Sequence, residues 1–318
     1  MLYDQYITLC KTVPQDKTVL LGLPLENEPS LWISIDHNGH PSLLLPAQEN
    51  DPRPDIVLRS IDVSFSRLCE IQTTDGSDHS GCFSIVKLKE SDRDIVRLFS
   101  KILEERFCRA AKPKNNSEIA GNIQELAALF SRVDGSTKDL IGLWGELNLI
   151  LCAENLLAAV RSWSTRKTAK YDFVAGSYVL DVKTTLSVTP KHRFSLEQLR
   201  PNGDYDAYIL STCLVEVPSG QTVGSLMDII GTRIEDSEIR SAFLNQCITK
   251  GGADIYRSAM KLQTYPDQGT LNLYRASDIP VPTIGPTEPI SNVRFDVDLT
   301  SISPLDSNTS SIILRFCN

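Results

Sequence analysis

Most motifs that announce a chemistry are missing from this chain. It has no Walker-type phosphate loop, no G-x-G-x-x-G, no G-x-S-x-G and no H-E-x-x-H. That leaves no motif support for an ATP-driven motor, a dinucleotide oxidoreductase, a serine hydrolase or a zinc protease. Histidine is scarce, at four residues, and the only close pair, His37 and His40, lies in Asp-His-Asn-Gly-His, a hairpin-turn sequence. The eight cysteines are scattered with no C-x-x-C pair. A zinc site is therefore not expected, and the thiols read as free in a reducing compartment. No run approaches 18 apolar residues, so no membrane span is expected. The first ten residues, MLYDQYITLC, have no basic segment followed by an apolar run. They do not read as a secretory leader, and the expected location is cytoplasmic. Low-complexity tracts and internal repeats are also lacking.

Positive charge is in short supply as well. The 32 Lys/Arg are outnumbered by 40 Asp/Glu, for a net charge of −8. A chain of that balance does not coat nucleic acid indiscriminately. One stretch goes against the trend. Residues 161–200 hold eight Lys/Arg and three acids. Arg166, Lys167, Lys170, Lys191 and Arg193 in this island are the expected contacts to a phosphate backbone.

Within the island, Lys170 to Thr185 reads as a β-hairpin. Phe173, Val174, Tyr178, Val179, Leu180 and Val182 are strand formers, and Gly176-Ser177 supplies a two-residue turn. That register pairs 175 with 178, 174 with 179 and 173 with 180. It then places Asp172 across from Asp181. Side chains alternate along a strand, so Asp181 and Lys183 share a face, and Phe173, Leu180 and Val182 take the other. Two opposed carboxylates destabilise a sheet unless something compensates them. A hard divalent cation does so, and it takes carboxylates together with phosphate oxygens. Lys183 is the only lysine of fourteen with an acid two residues upstream. Its ammonium could orient an attacking water or stabilise developing charge. Carboxylates, a metal and a lysine point to phosphodiester hydrolysis.

Ser136 to about Trp163 reads as one long helix, with Ser136 and Asp139 as its opening signal. It is apolar on most of its circumference, the pattern of a helix buried on more than one side. Glu146 falls in line with Leu143, Ile150, Ala153 and Leu157, where a carboxylate is costly unless paired or bound to a metal. Gly142 and Gly145 weaken the helix and make sense where another backbone packs close.

A helix with an inward glutamate, then Asp, then Asp-x-Lys, resembles the PD-(D/E)XK nuclease superfamily. More narrowly, Gly142-Leu-Trp-Gly-Glu-Leu147, Tyr171-Asp-Phe-Val174, Leu180-Asp-Val-Lys-Thr-Thr185 and His192-Arg-Phe-Ser-Leu-Glu-Gln-Leu199 are similar to one uncharacterised prokaryotic family of that superfamily. That family is found in restriction-like, phage-defence gene neighbourhoods beside a MORC-type ATPase and a helicase. The resemblance implies an α/β fold with a restriction-endonuclease-like core, a mixed β-sheet flanked by helices. It implies Asp172 and Asp181 as metal ligands with Glu146, Lys183 as catalytic lysine, and Gln198 on the helix after the strands. The implied cofactor is Mg²⁺ or Mn²⁺ and the implied substrate DNA, with the ATPase and helicase as partners and a homodimer allowed. Tyr171 stands where the motif's proline would be, and no first strand is legible between Trp163 and Lys170.

The expected organisation is a strand-rich N-terminal domain over 1–112, the nuclease-like core over 113–217, and an α+β region over 218–318. N-terminal strands are expected at 18–22, 31–36, 41–46, 56–58, 66–71 and 81–88, then helices at 92–111 and 117–132. After the hairpin come a short helix from 194, a strand over 207–217 and helices over 225–230 and 236–250. Strands are expected near 271–275, 293–297 and 311–316. The principal functional reading is a metal-dependent endodeoxyribonuclease. The rival is a nuclease fold that binds DNA or scaffolds partners without cutting.

Overall fold

The structure is a computed structural model that describes residues 2–16, 19–49, 51, 53–58, 60–109, 115–123, 139–164, 170–200, 205–265, 271–283 and 291–316. The chain is mixed α/β and forms two compact units, residues 1–136 with 252–257, and residues 137–251 with 258–318. The first boundary thus falls at 136, not 112. Most of residues 218–318 belong to the second unit.

The first unit begins with helix α1 (Leu2–Leu9). Six strands follow: β1 (Leu20–Leu25), β2 (Glu28–Ile35), β3 (Pro41–Pro46), β4 (Ile56–Val57), β5 (Ile61–Thr73) and β6 (Asp78–Leu88). The sheet order is β1-β2-β3-β6-β5-β4, and β5 also pairs parallel with β1. The sheet therefore curls back on itself, which removes the open edges of β1 and β5 along that stretch. Inside lie Ile33, Leu43, Val63 and Val86, all essentially without solvent contact. Helix α2 (Arg93–Leu103) is capped by the Asp92 side chain, which accepts from the backbone of Asp94 and Ile95. It runs on as a π-helical turn, Glu104–Arg109. The described part of the next helix, α3, is 116–123.

The second unit opens with α4 (Leu140–Cys152) and α5 (Leu156–Ser162), not with one continuous helix. Ala153 is extended, and the Asn155 side chain accepts from Ala158 N to start a new helix. An asparagine cap inside an apolar pattern stops the first helix and begins the second. Ser136 lies outside the described residues, and Asp139 is the observed cap of α4.

The hairpin follows, β7 (Phe173–Ala175) and β8 (Tyr178–Thr185), in the expected register, with 173 opposite 180, 174 opposite 179 and 175 opposite 178. Gly176 has φ +55°, a turn conformation that costs other residues energy. Next come β9 (Lys191–Ser195), α6 (Leu196–Leu199), the 16-residue β10 (Asp206–Gln221), α7 (Val223–Arg233) and α8 (Ser237–Gly251). Strand β10 pairs parallel with β8. On its other side it takes β11 (Leu262–Thr264) and β12 (Asn272–Arg275), both antiparallel. So residues expected in a separate C-terminal region complete the same mixed sheet. The last strand, β13 (Arg294–Asp298), makes a two-stranded ribbon with β9. Residues 311–316, expected as a strand, belong mostly to the helix Ser307–Leu314. Asp306 caps it by accepting from Thr309 N, and this local signal outweighs the β-forming isoleucines.

Both faces of the sheet are covered. Helix α4 lies against β8 on the Val182 and Thr184 side. On the opposite side, Val179, Ala207 and Ile209 join Phe194, Leu199, Tyr274, Ile279 and Val297 in a second core. The face that carries Asp181 and Lys183 is therefore a polar end of an apolar layer.

Gly145 sets the distance of the first layer. A Cβ there would meet Thr184 Cγ2 at 2.2 Å and Val182 Cγ1 at 3.2 Å. Gly145→Ala gains roughly 1 kcal/mol of helix propensity but forces overpacking worth about 1–3 kcal/mol. The expected net effect is a Tm lower by roughly 2–4 °C. Adding Thr184→Ser removes the clashing methyl and should restore the loss. A Gly145→Ala protein that melts at or above wild type would show that α4 is free to move away from β8.

Candidate active site

Helix α4, the hairpin, α6 and the end of α8 bring Glu146, Asp172, Asp181, Lys183, Gln198 and Lys250 together. Asp172 occupies the position just before β7. The ladder ends at the 173–180 pair, and the Asp172 Oδ2 atom accepts the Val182 N–H at 2.9 Å. One carboxylate oxygen is thus spent on the backbone at the strand's end. The other oxygen, Oδ1, is 3.6 Å from Lys250 Nζ.

Asp181 is buried in the middle of β8. Its Oδ1 accepts from Gln198 Nε2 at 3.2 Å. Lys183 Nζ lies 2.8 Å from Oδ2, near enough to pair as ions but without hydrogen-bond alignment. Gln198 is held in turn by a capping box with Ser195 at the start of α6. The Gln198 amide reaches the acid from a rigid helix end.

Glu146 is buried on α4. Its Oε2 accepts from the Trp163 indole N–H and from Lys250 Nζ. The Lys250 ammonium also lies 5.2 Å from the Trp163 ring centroid.

Electrostatics follow from burial and proximity. Glu146 has its pKa raised, first by burial and then by the Asp172 charge, against the pull of Lys250 and Trp163. Asp181 is raised by the same two causes, against Lys183. For Lys250, burial works against the charge, but Glu146 and Asp172 outweigh it and the pKa rises. His192 on β9 is pushed down to about 4 by burial and by Lys183, so its ring is neutral at pH 7. That ring shares a 2.7 Å hydrogen bond with Ser211, the register partner of Lys183.

Of the expected site residues, Glu146 and Asp172 share Lys250, Asp181 contacts Lys183 and Gln198, and the Asp172 charge acting on Asp181 couples the two groups. Lys250 and Trp163 were not anticipated. Lys250 ends an expected helix, where a lysine is read as complementing the helix dipole. Nothing in the local pattern distinguishes it. No first strand before β7 is seen among the described residues, and 165–169 lie outside them; Trp163 is the closest residue to pair there. It makes a single antiparallel bridge to Phe173, and Ser164 N donates to Asp172 O at 2.7 Å.

The expected phosphate contacts are divided. Arg166 and Lys167 lie outside the described residues, and Lys170 is exposed. Lys191 and Arg193 are exposed on the ribbon, but their partners across it are Asp298 and Asp296. Arg193 Nε stands 3.9 Å from Asp296 Oδ1.

Among the described residues, no group of three or more His, Cys, Asp or Glu is gathered closely enough to hold a metal ion by itself. None of the helices in the described residues is long and apolar enough to cross a membrane. No disulfide joins the cysteines among the described residues.

A family model described as "Putative PD-(D/E)XK family member, (DUF4420)" matches residues 6–300. The chain belongs to that family. No curated protein and no solved structure matches it.

The raised carboxyl pKa values carry a sign. An acid that holds its proton more tightly when folded contributes stability that is fully present below about pH 4 and is lost as pH rises through its folded pKa. Asp172→Asn removes a charge that raises both Glu146 and Asp181, while its side-chain oxygen can still accept from Val182 N. In EDTA, the fall in Tm between pH 5 and pH 8 should be shallower in the variant than in wild type. Equal slopes would mean that the three carboxylates do not share their charge.

Proposed function

We propose that this member of the PD-(D/E)XK family is a metal-dependent endodeoxyribonuclease with a restriction-endonuclease-like core. The observation that carries the reading is the adjacency of Asp172, Asp181 and Lys183 at the end of one hairpin, beside a helix that supplies Glu146.

The donor set fits a hard divalent ion. The Asp172 charge bears on a buried Asp181, and Asp181 Oδ2 has no aligned hydrogen-bond donor. Asp172 and Asp181 would hold Mg²⁺ or Mn²⁺, with Glu146 reaching the same locus if it lets go of Lys250. When bound, such an ion polarises a phosphoryl oxygen and lowers the pKa of a water. The chain's own residues do the rest. Lys183 balances charge on the reacting phosphate and orients the attacking water. Gln198 fixes the Asp181 rotamer through Oδ1, so the other oxygen keeps one direction. Lys170, with Arg166 and Lys167, offers the DNA backbone its first contacts. A restriction-like defence assembly would draw its ATPase and helicase from other chains, since no nucleotide loop occurs in this one.

One observation favours the non-cutting rival. Both ends of the acid cluster are already neutralised by lysines, which is how a metal-free binding module would be built.

Plasmid cleavage decides between them. With Mg²⁺ or Mn²⁺, the wild type should nick or linearise DNA, and Asp181→Asn and Lys183→Ala should lose on the order of 10²-fold or more of that rate. Mn²⁺ should raise the wild-type Tm and leave that of Asp181→Asn unmoved, because only a binding-competent fold is stabilised by ligand. Wild-type cleavage by both variants would remove the site, and metal-independent DNA binding without cleavage would favour the module.

A further inference from the structure

Lys250 is the group that the nuclease reading does not use. It sits at the C-terminal end of α8, with its side chain only 28% exposed. Its ammonium pairs with Glu146 Oε2 and stands 3.6 Å from Asp172 Oδ1. The indole of Trp163 packs under it and donates its own N–H to the same Glu146 oxygen. Two carboxylates and an aromatic face, fixed to one another, hold this ammonium away from water. That is a built position, unlike a surface ion pair, whose partners trade freely with solvent.

Charge balance says what the position is for. The cluster holds three carboxylates, Glu146, Asp172 and Asp181, and two ammonium groups, Lys183 and Lys250. With all three carboxyl groups ionised, one negative charge is left over. A single divalent ion together with one phosphodiester monoanion brings the total to zero. A second divalent ion would leave an excess of two positive charges in a buried site, next to an ammonium already in contact with Glu146.

Resting on the nuclease reading above, we propose that Lys250 is a resident cation of the acid cluster. It takes the place that a second metal ion would occupy, so the site admits one divalent ion at Asp172 and Asp181. Glu146 anchors Lys250 and, while it does so, is not a metal ligand. Lys250 is a positioning residue: it fixes Glu146 and the free oxygen of Asp172, and leaves the attacking water to Lys183.

The test counts Mn²⁺ bound to the full-length chain, by calorimetry and by the electron paramagnetic resonance signal of free Mn²⁺. Wild type should bind one ion. Lys250→Met should bind two, with the second lost again in the Lys250→Met, Glu146→Gln double variant. Glu146→Gln alone should still bind one ion, with its Kd changed less than about threefold, since a group that is not a ligand contributes only at a distance. This last arm holds even if Lys250→Met fails to fold. Two ions in wild type, one ion in a folded Lys250→Met, or loss of the ion in Glu146→Gln would each overturn the inference while leaving a metal-dependent nuclease standing. No ion bound by wild type or any variant would overturn both readings together.

Discussion

Burying a carboxylate is among the costliest things a fold can do, and the second unit does it next to another acid. Asp181 is in the centre of a strand with cores on both faces, Glu146 is in the middle of an apolar helix, and Asp172 links them. Charges this far from water persist only when paired or hydrogen-bonded. The rest of the unit can be read as the supply of those partners. The two-residue turn sets the register that brings Asp172 to the end of the ladder, on the Val182 N–H. Gly145 lets α4 lie close enough to β8 for Glu146 to face the hairpin's end. Helix α8 delivers Lys250, and α6 delivers Gln198. Removing any one partner would leave an acid worse off than before, so these elements are tied to one another through the cluster as well as through apolar packing.

The cluster also explains a division of labour between the two cores. Val182 and Thr184 face α4, while Val179 and Ile209 face the β9–β13 side. Alternation along β8 would ordinarily leave one face to solvent. Here both are covered: Asp181 lies at the margin of the second layer, and Glu146 comes from α4 on the other side. A carboxylate at such a margin keeps a low local dielectric, the condition under which one charge does most to another.

Legibility in the sequence followed the range of the interactions. The hairpin was readable because a period of two and a Gly-Ser turn are local signals, and the paired register was the one they imply. The acids were readable because each violates its surroundings: Glu146 on an apolar stripe, Asp181 in a run of strand formers. Gly145 was readable as a close approach, although its partner was not. What could not be read was anything set by contacts distant along the chain. Lys250 is 104 residues from Glu146 and looks like an ordinary helix end. Strand β9 hides in a stretch whose partner, β13, lies about a hundred residues later. The break at Asn155 and the helix at Ser307–Leu314 were missed for a different reason. In both, a capping side chain outweighed the apolar pattern around it.

The β9–β13 ribbon has one further consequence. Its outer face sets Lys191 beside Asp298, Arg193 beside Asp296 and Arg294 beside Ser195, while its inner face carries His192, Phe194 and Val297. Opposite charges a few ångströms apart cancel at a distance of one Debye length, about 8 Å in physiological salt. With only Arg294 left over, this surface draws a passing polyanion weakly, and its pull depends little on ionic strength. The ribbon can discriminate only what already touches it. A surface of that kind reads a polyanion at contact and hardly at all from a distance.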